Sequence, residues 1–131
     1  MIFKEGDSFE QNFIVSDNTY LGFIGLFKDN NPLHTDNLFA IKKGFNSKVM
    51  HGNILSGFLS FFIGECLPLK NVIIHSQEIQ FKNAVYLNDE LYFTAIVSGV
   101  FDSVNAIEFK FNFKKIDKQV VAKGKIQIGL I

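Results

Sequence analysis

Ile54-Leu55-Ser56-Gly57-Phe58-Leu59-Ser60-Phe61-Phe62-Ile63-Gly64-Glu65-Cys66-Leu67 is the stretch on which the fold turns. Wound as a helix it is apolar on most sides, so it has no broad face to offer water and must be wrapped by other structure. Asn53, Ser56, Gly57, Ser60 and Gly64 recur at steps of three or four, drawing a narrow stripe of small and polar residues where another group can approach closely. The helix opens near His51-Gly52. Its most apolar window, residues 54–64, falls well short of the roughly 20 residues that cross a bilayer. It reads as a core helix, and no membrane insertion is expected.

What wraps it is legible downstream. Ile107-Glu108-Phe109-Lys110-Phe111-Asn112-Phe113-Lys114 alternates apolar and polar residues over a full strand length, the signature of a half-buried antiparallel strand. Similar runs cover residues 72–81, 91–100 and 120–128, separated by turn-like Leu87-Asn88-Asp89-Glu90, Asp102-Ser103 and Ile116-Asp117-Lys118. Four consecutive strands with short connections predict a meander. Upstream, residues 9–15 form a further strand. Ser16 then offers an N-cap for a helix carrying Tyr20, Phe23, Ile24 and Phe27 at helical spacing. Thr35 starts a second short helix through Leu38, Phe39 and Ile41, with Gly44 placed to end it. The plan is α+β: one domain over residues 1–131, a curved antiparallel sheet around a long buried helix.

Composition narrows the function classes. The 131 residues are 47% hydrophobic with formally zero net charge, enough apolar surface for one real core. All thirteen basic residues are Lys and, apart from Lys42-Lys43 and Lys114-Lys115, they are scattered, so no basic stripe invites a phosphate backbone. Nucleic acid is not an expected partner. The single Cys66 excludes an internal disulfide and a multi-cysteine zinc site, and it fits a reducing compartment as a small apolar residue near a helix end. Met1-Ile2-Phe3-Lys4-Glu5-Gly6 turns polar at once and lacks a leader pattern, so the expected location is cytoplasmic.

Chemistry concentrates in Phe27-Lys28-Asp29-Asn30-Asn31-Pro32-Leu33-His34. Pro32 breaks the helix there and sets a carboxylate and an imidazole in a rigid loop, where Asp29 and His34 can point the same way. His75 sits in a strand pattern and reads as structural, and His51 belongs to the helix-start segment. No cluster of His, Cys and carboxylates at ligand spacing is seen, so no metal is expected.

The order Asp-x-Asn-Pro-Leu-His over residues 29–34, then Phe39-Ala40, then Val49-Met50-His51-Gly52, resembles the hydratase motif of MaoC-like dehydratases and (R)-specific enoyl-CoA hydratases. It continues as Gln77-x-x-x-Phe81-Lys82-x-x-Val85-x-x-x-Asp89-Glu90, so the resemblance covers about residues 10 to 130. It implies a hot-dog fold and a hydro-lyase that adds water to, or removes it from, the α,β double bond of an acyl thioester. On that reading Asp29 is the base and His34 protonates the α carbon. Those residue types suit the task, since a carboxylate accepts the water proton and an imidazole trades protons near neutral pH. Asn31 orients the loop or helps to hold His34. Gly52, at the start of the buried helix, offers unpaired N–H groups and the positive end of the helix dipole to the thioester oxygen. Ser60 matches the family serine that contacts the catalytic carboxylate.

Two positions depart from the family pattern. Lys28 stands where a glycine commonly precedes the Asp, and a loop needing positive φ there would strain it. Asn53 stands where a bulky apolar residue usually follows His-Gly, which brings a polar group to the acyl pocket. No cofactor is implied beyond the CoA or carrier-protein pantetheine of the substrate itself, and with no Arg its phosphates must be met by Lys or backbone N–H groups. The resemblance also implies a homodimer. Two alternatives share the fold: an acyl thioesterase using a differently placed carboxylate, and a non-catalytic subunit that binds acyl thioesters.

Overall fold

The alternating segments pair into one five-stranded antiparallel sheet in a computed structural model, which describes residues 2–131. The strands are β1 (Ser8–Ile14), β2 (Val72–Phe81), β3 (Glu90–Phe101), β4 (Ala106–Lys114) and β5 (Val120–Leu130). Their order across the sheet is β1-β3-β4-β5-β2. The expected four-strand meander is therefore corrected to three strands, β3-β4-β5. β2 leaves its sequence neighbour and pairs with β5 at the opposite edge, from Val72 against Leu130 to Phe81 against Ala122. Alternation records which face of a strand is buried and carries no record of the partner strand.

Four helices follow β1 before the sheet resumes: α1 (Asp17–Phe27), α2 (Pro32–Thr35), α3 (Asn37–Lys42) and α4 (Asn53–Phe61). Ser16 caps α1 as its sequence suggests, its hydroxyl accepting from the Thr19 N–H at 3.2 Å. The second short helix starts later than expected. Asp36, not Thr35, caps α3, because its carboxylate accepts from both Leu38 and Phe39 N–H groups. Pro32 occupies the first position of the separate α2, where its missing N–H costs nothing.

α4 is the buried helix, and it runs on into a π-helical turn at Phe62–Cys66. Ile54, Leu55, Leu59, Phe62, Ile63 and Leu67 turn inward and are nearly water-free. The inner faces of the strands meet them with Phe93, Phe109, Phe111, Phe113, Ile126 and Ile128. Phe62 stands at the centre, 4.9 Å from Phe93 and 5.6 Å from Phe109 between ring centroids, with Phe9 at 5.8 Å. These tilted and edge-on contacts add to the roughly 1.5–3 kcal/mol gained by burying each ring. Cys66 belongs to the same turn, and burial, then Glu65, pushes its thiol above the ordinary range.

Two surfaces differ from the rest. β2 is exposed or half-buried along its whole length, with Ile73, Ile74 and Phe81 open to solvent on an edge strand. On the outer face of the sheet the apparently scattered lysines gather, since Lys110 lies directly across from Lys125 and a shallow recess collects Lys110, Lys114, Lys123 and Lys125 around Glu78. Among the described residues no helix is long and apolar enough to cross a membrane.

Candidate functional site

α1 ends on Lys28, which adopts the left-handed conformation at φ 59° and donates its N–H to the Ile24 carbonyl. The strain suspected at this position is present: an L-side chain occupies a turn that glycine adopts freely. The turn ends the helix abruptly and throws Asp29 out of line. Its carboxylate accepts from the Asn31 N–H at 3.1 Å, while the Asn31 side chain accepts from Leu33 N–H at 3.0 Å and so caps α2. Asn31 thus joins the carboxylate to the helix that carries the imidazole.

His34 sits on α2 and its Nδ1 lies 2.7 Å from the Val49 carbonyl. A carbonyl only accepts, so Nδ1 carries a proton there and Nε2 is the ring nitrogen left to exchange one. The Tyr20 hydroxyl donates to the His34 carbonyl, and Val49 N–H donates to Leu33, which ties residues 49–51 against α2. That segment delivers His51 and Gly52 to the same corner.

His51 is the residue that sequence reasoning left among helix-start positions. It is only 3% exposed, and its Nε2 lies 2.9 Å from the Asp29 main-chain carbonyl. Its ring stacks on that of His34, centroids 4.1 Å apart and planes 29° apart, with Phe23 on it at 4.7 Å. His-Gly before an apolar run was the visible signal, though nothing in that dipeptide showed where the ring would point.

Gly52 immediately precedes α4 at ordinary helical angles, φ −58° and ψ −36°. Its backbone therefore does not require glycine, and what an added side chain would meet is the Phe81 ring. A Cβ there would lie 2.9 Å from Cε1 of Phe81. Among the described residues no acceptor is found for the Gly52 N–H. Asn53 begins the helix beside it, exposed.

Two cavities meet here. One of about 500 Å³ is lined by Asp29, His34, Gly52, Asn53, Phe81 and Lys82 among others. A second, of about 780 Å³ and mostly apolar, runs between α1 and α4 past Phe23, Leu26, Phe27, Ser56 and Gly57. Asp29, Phe23, Asn53 and Ile54 line both. Of the small-residue stripe, Ser56 faces the second cavity and accepts from the Gln77 amide at 3.1 Å. Ser60, one turn farther along, is exposed and lines neither cavity, so the structure does not bring it to Asp29. His75 lies apart on β2, packed over Gly129.

The reading that no His and carboxylate cluster exists needs correction, since Asp29, His34 and His51 each place a ligand-type atom within 4.8 Å of the others. One nitrogen of each ring is bonded to a carbonyl, which orients the ring and leaves the other nitrogen over. What the cluster can do is hold a water between a carboxylate and an imidazole, beside a free N–H.

A family model described as "MaoC like domain" matches residues 4–120. The (R)-specific enoyl-CoA hydratase of Rhodospirillum rubrum is 29% identical over 118 residues, covering 90% of this chain and 82% of that protein. A mitochondrial 3-hydroxyacyl-[acyl-carrier-protein] dehydratase of Arabidopsis thaliana is 27% identical over 127 residues, covering 95% and 75%. Among solved structures, the (R)-hydratase from A. caviae involved in PHA biosynthesis superposes with a TM-score of 0.90 at 23% identity, over 99% of this chain and 98% of that one.

Proposed function

The chain belongs to the MaoC-like domain family, and from that membership we propose that it is a hydro-lyase acting on a trans-2-enoyl thioester and its (R)-3-hydroxyacyl counterpart. Its sheet and buried helix form the hot-dog fold. The observation that carries the reading is the convergence of Asp29 and His34, with donor and acceptor atoms within 4.8 Å, in one cavity with the unengaged Gly52 N–H.

In hydration the Asp29 carboxylate takes a proton from water as the water oxygen bonds to the β carbon. The electron pair of the double bond moves toward the thioester oxygen, which becomes enolate-like, and the Gly52 N–H at the start of α4 donates to it. A proton on His34 Nε2 passes to the α carbon, while Val49 holds Nδ1–H throughout. Return of the Asp29 proton to His34 through solvent resets the pair, and dehydration runs the same steps backward. The apolar cavity between α1 and α4 suits the acyl chain, with Asn53 at its junction. The relatives' names include both CoA and carrier-protein thioesters, and either pantetheine arm fits this scheme without a resident cofactor.

A second copy of the chain is the proposed partner, paired through the open edge of β2. Sedimentation at micromolar concentration then gives a dimer; a monomer counts against it. The activity is tested by mixing the protein with enoyl-CoA and enoyl-carrier thioesters of several lengths. Loss of enoyl absorbance without free thiol release is expected. Thiol release would point to a thioesterase, and binding without either change to a non-catalytic subunit.

A further inference from the structure

His51 is the only buried polar or charged residue in the described core. Burying an imidazole is costly unless its nitrogens are bonded, and here only Nε2 is bonded while Nδ1, fully shielded, has no partner. The side chain is not capping α4, which has no side-chain cap. Its contacts are with the proposed chemistry: Nε2–H donates to the main chain of Asp29, 22 positions upstream, and its ring backs that of His34. Its own backbone leads directly into Gly52.

We infer that His51 is a positioning residue, a neutral imidazole protonated at Nε2 that fixes the carboxylate, the second imidazole and the oxyanion donor in one frame. The Asp29 segment is otherwise exposed and follows a strained turn, with only the local Asn31 contact to orient its carboxylate. A bond from the buried side to its carbonyl removes the remaining freedom. The stack does the same for His34, whose ring is held at the edge by Val49 and on one face by His51.

This inference rests on the hydro-lyase reading, and two substitutions separate its parts. His51→Phe keeps a flat ring against His34 and Phe23 and removes the donor; His51→Gln keeps an N–H able to reach the Asp29 carbonyl and removes the stack. Expected for His51→Phe is a kcat lower by about 100-fold, the scale of an ångström of misplacement, with KM changed less than about threefold and no loss of melting temperature. His51→Gln is expected to recover at least about tenfold of that kcat. A His51→Phe protein within about threefold of wild-type kcat, or a His51→Gln protein no better than His51→Phe, overturns the role. Imidazole nitrogen NMR supplies a readout free of turnover: the wild-type His51 is expected as the Nε2–H tautomer, and His51→Phe should shift the His34 signals. If wild type hydrates no thioester while those signals behave so, the hydro-lyase reading fails and the positioning role stands. An Nδ1–H tautomer, or unmoved His34 signals, sinks the role whatever the activity.

Discussion

The phenylalanine core beneath the sheet and the histidine corner at the start of α4 obey opposite rules. In the core, rings from β3, β4 and the π-helical turn pack at 4.9–6.1 Å, and none of these residues has a positive φ. The corner holds a left-handed lysine, a buried nitrogen without a partner, two stacked imidazoles and a glycine pressed against a ring. Locally unfavourable features of that kind persist only where the surrounding structure over-determines them, and they collect at functional sites. Stability and chemistry are therefore separable here, which substitutions can test from both sides.

The largest expected effect is on the chemistry alone. Asp29→Asn keeps an oxygen for the Asn31 N–H, so the loop folds as before, while loss of the proposed base should cut kcat by about 10³-fold or more, within the span of general acid–base catalysis. Unchanged turnover with an unchanged melting curve would remove Asp29 from the mechanism. Phe109→Ala asks the converse question. Phe109 is fully buried against Phe3, Phe9 and Phe62, and its truncation should cost about 3–5 kcal/mol in denaturant unfolding, enough to leave a domain of this size marginal. A cost below about 1 kcal/mol would show that the core is not packed as described.

Gly52→Ala probes the seam between the regions. The added methyl meets the end of the exposed Phe81 ring, which can swing aside, so stability should fall by less than about 1 kcal/mol while kcat/KM falls about tenfold. Shortening the obstacle in Gly52→Ala/Phe81→Leu should restore much of that loss; if it does not, space against Phe81 is not the reason for the glycine. Smallest is Lys28→Gly. Relief of the left-handed strain, less the added freedom of the unfolded chain, should raise unfolding free energy by about 0.5–1 kcal/mol at unchanged kcat. A loss of stability would mean that the lysine side chain does more than occupy the turn.

Much of this was legible without coordinates. Ser16 before a helical pattern, the apolar run from Ile54 and the alternation around Phe109 each report local physics, namely a cap, a wrapped helix and a half-buried strand. Asp29, Asn31, Pro32 and His34 are near neighbours in sequence, so their segment could be read as a unit, and Asn31 does link the Asp29 carboxylate to the short helix that carries His34. Ser60 shows the limit: a helical stripe places it in line with Gly52 without saying which part of that line faces the cavity. His51 shows the opposite limit, for its partners lie 17 and 22 positions away and nothing in its own neighbourhood names them.

By itself, then, the sequence determined the helix and strand periods, the short segment that carries the carboxylate and imidazole, and the α+β class, all of which rest on interactions between residues close along the chain; that the imidazole rides on the short helix α2 and not on a loop was added by the structure. Only the tertiary structure decided that β2 crosses to pair with β5, that lysines from separate strands share one recess, and that a buried His51 stands behind Asp29 and His34. Those outcomes depend on long-range contacts, whose partners are selected by the packing of the whole core around α4 and leave no local periodic trace.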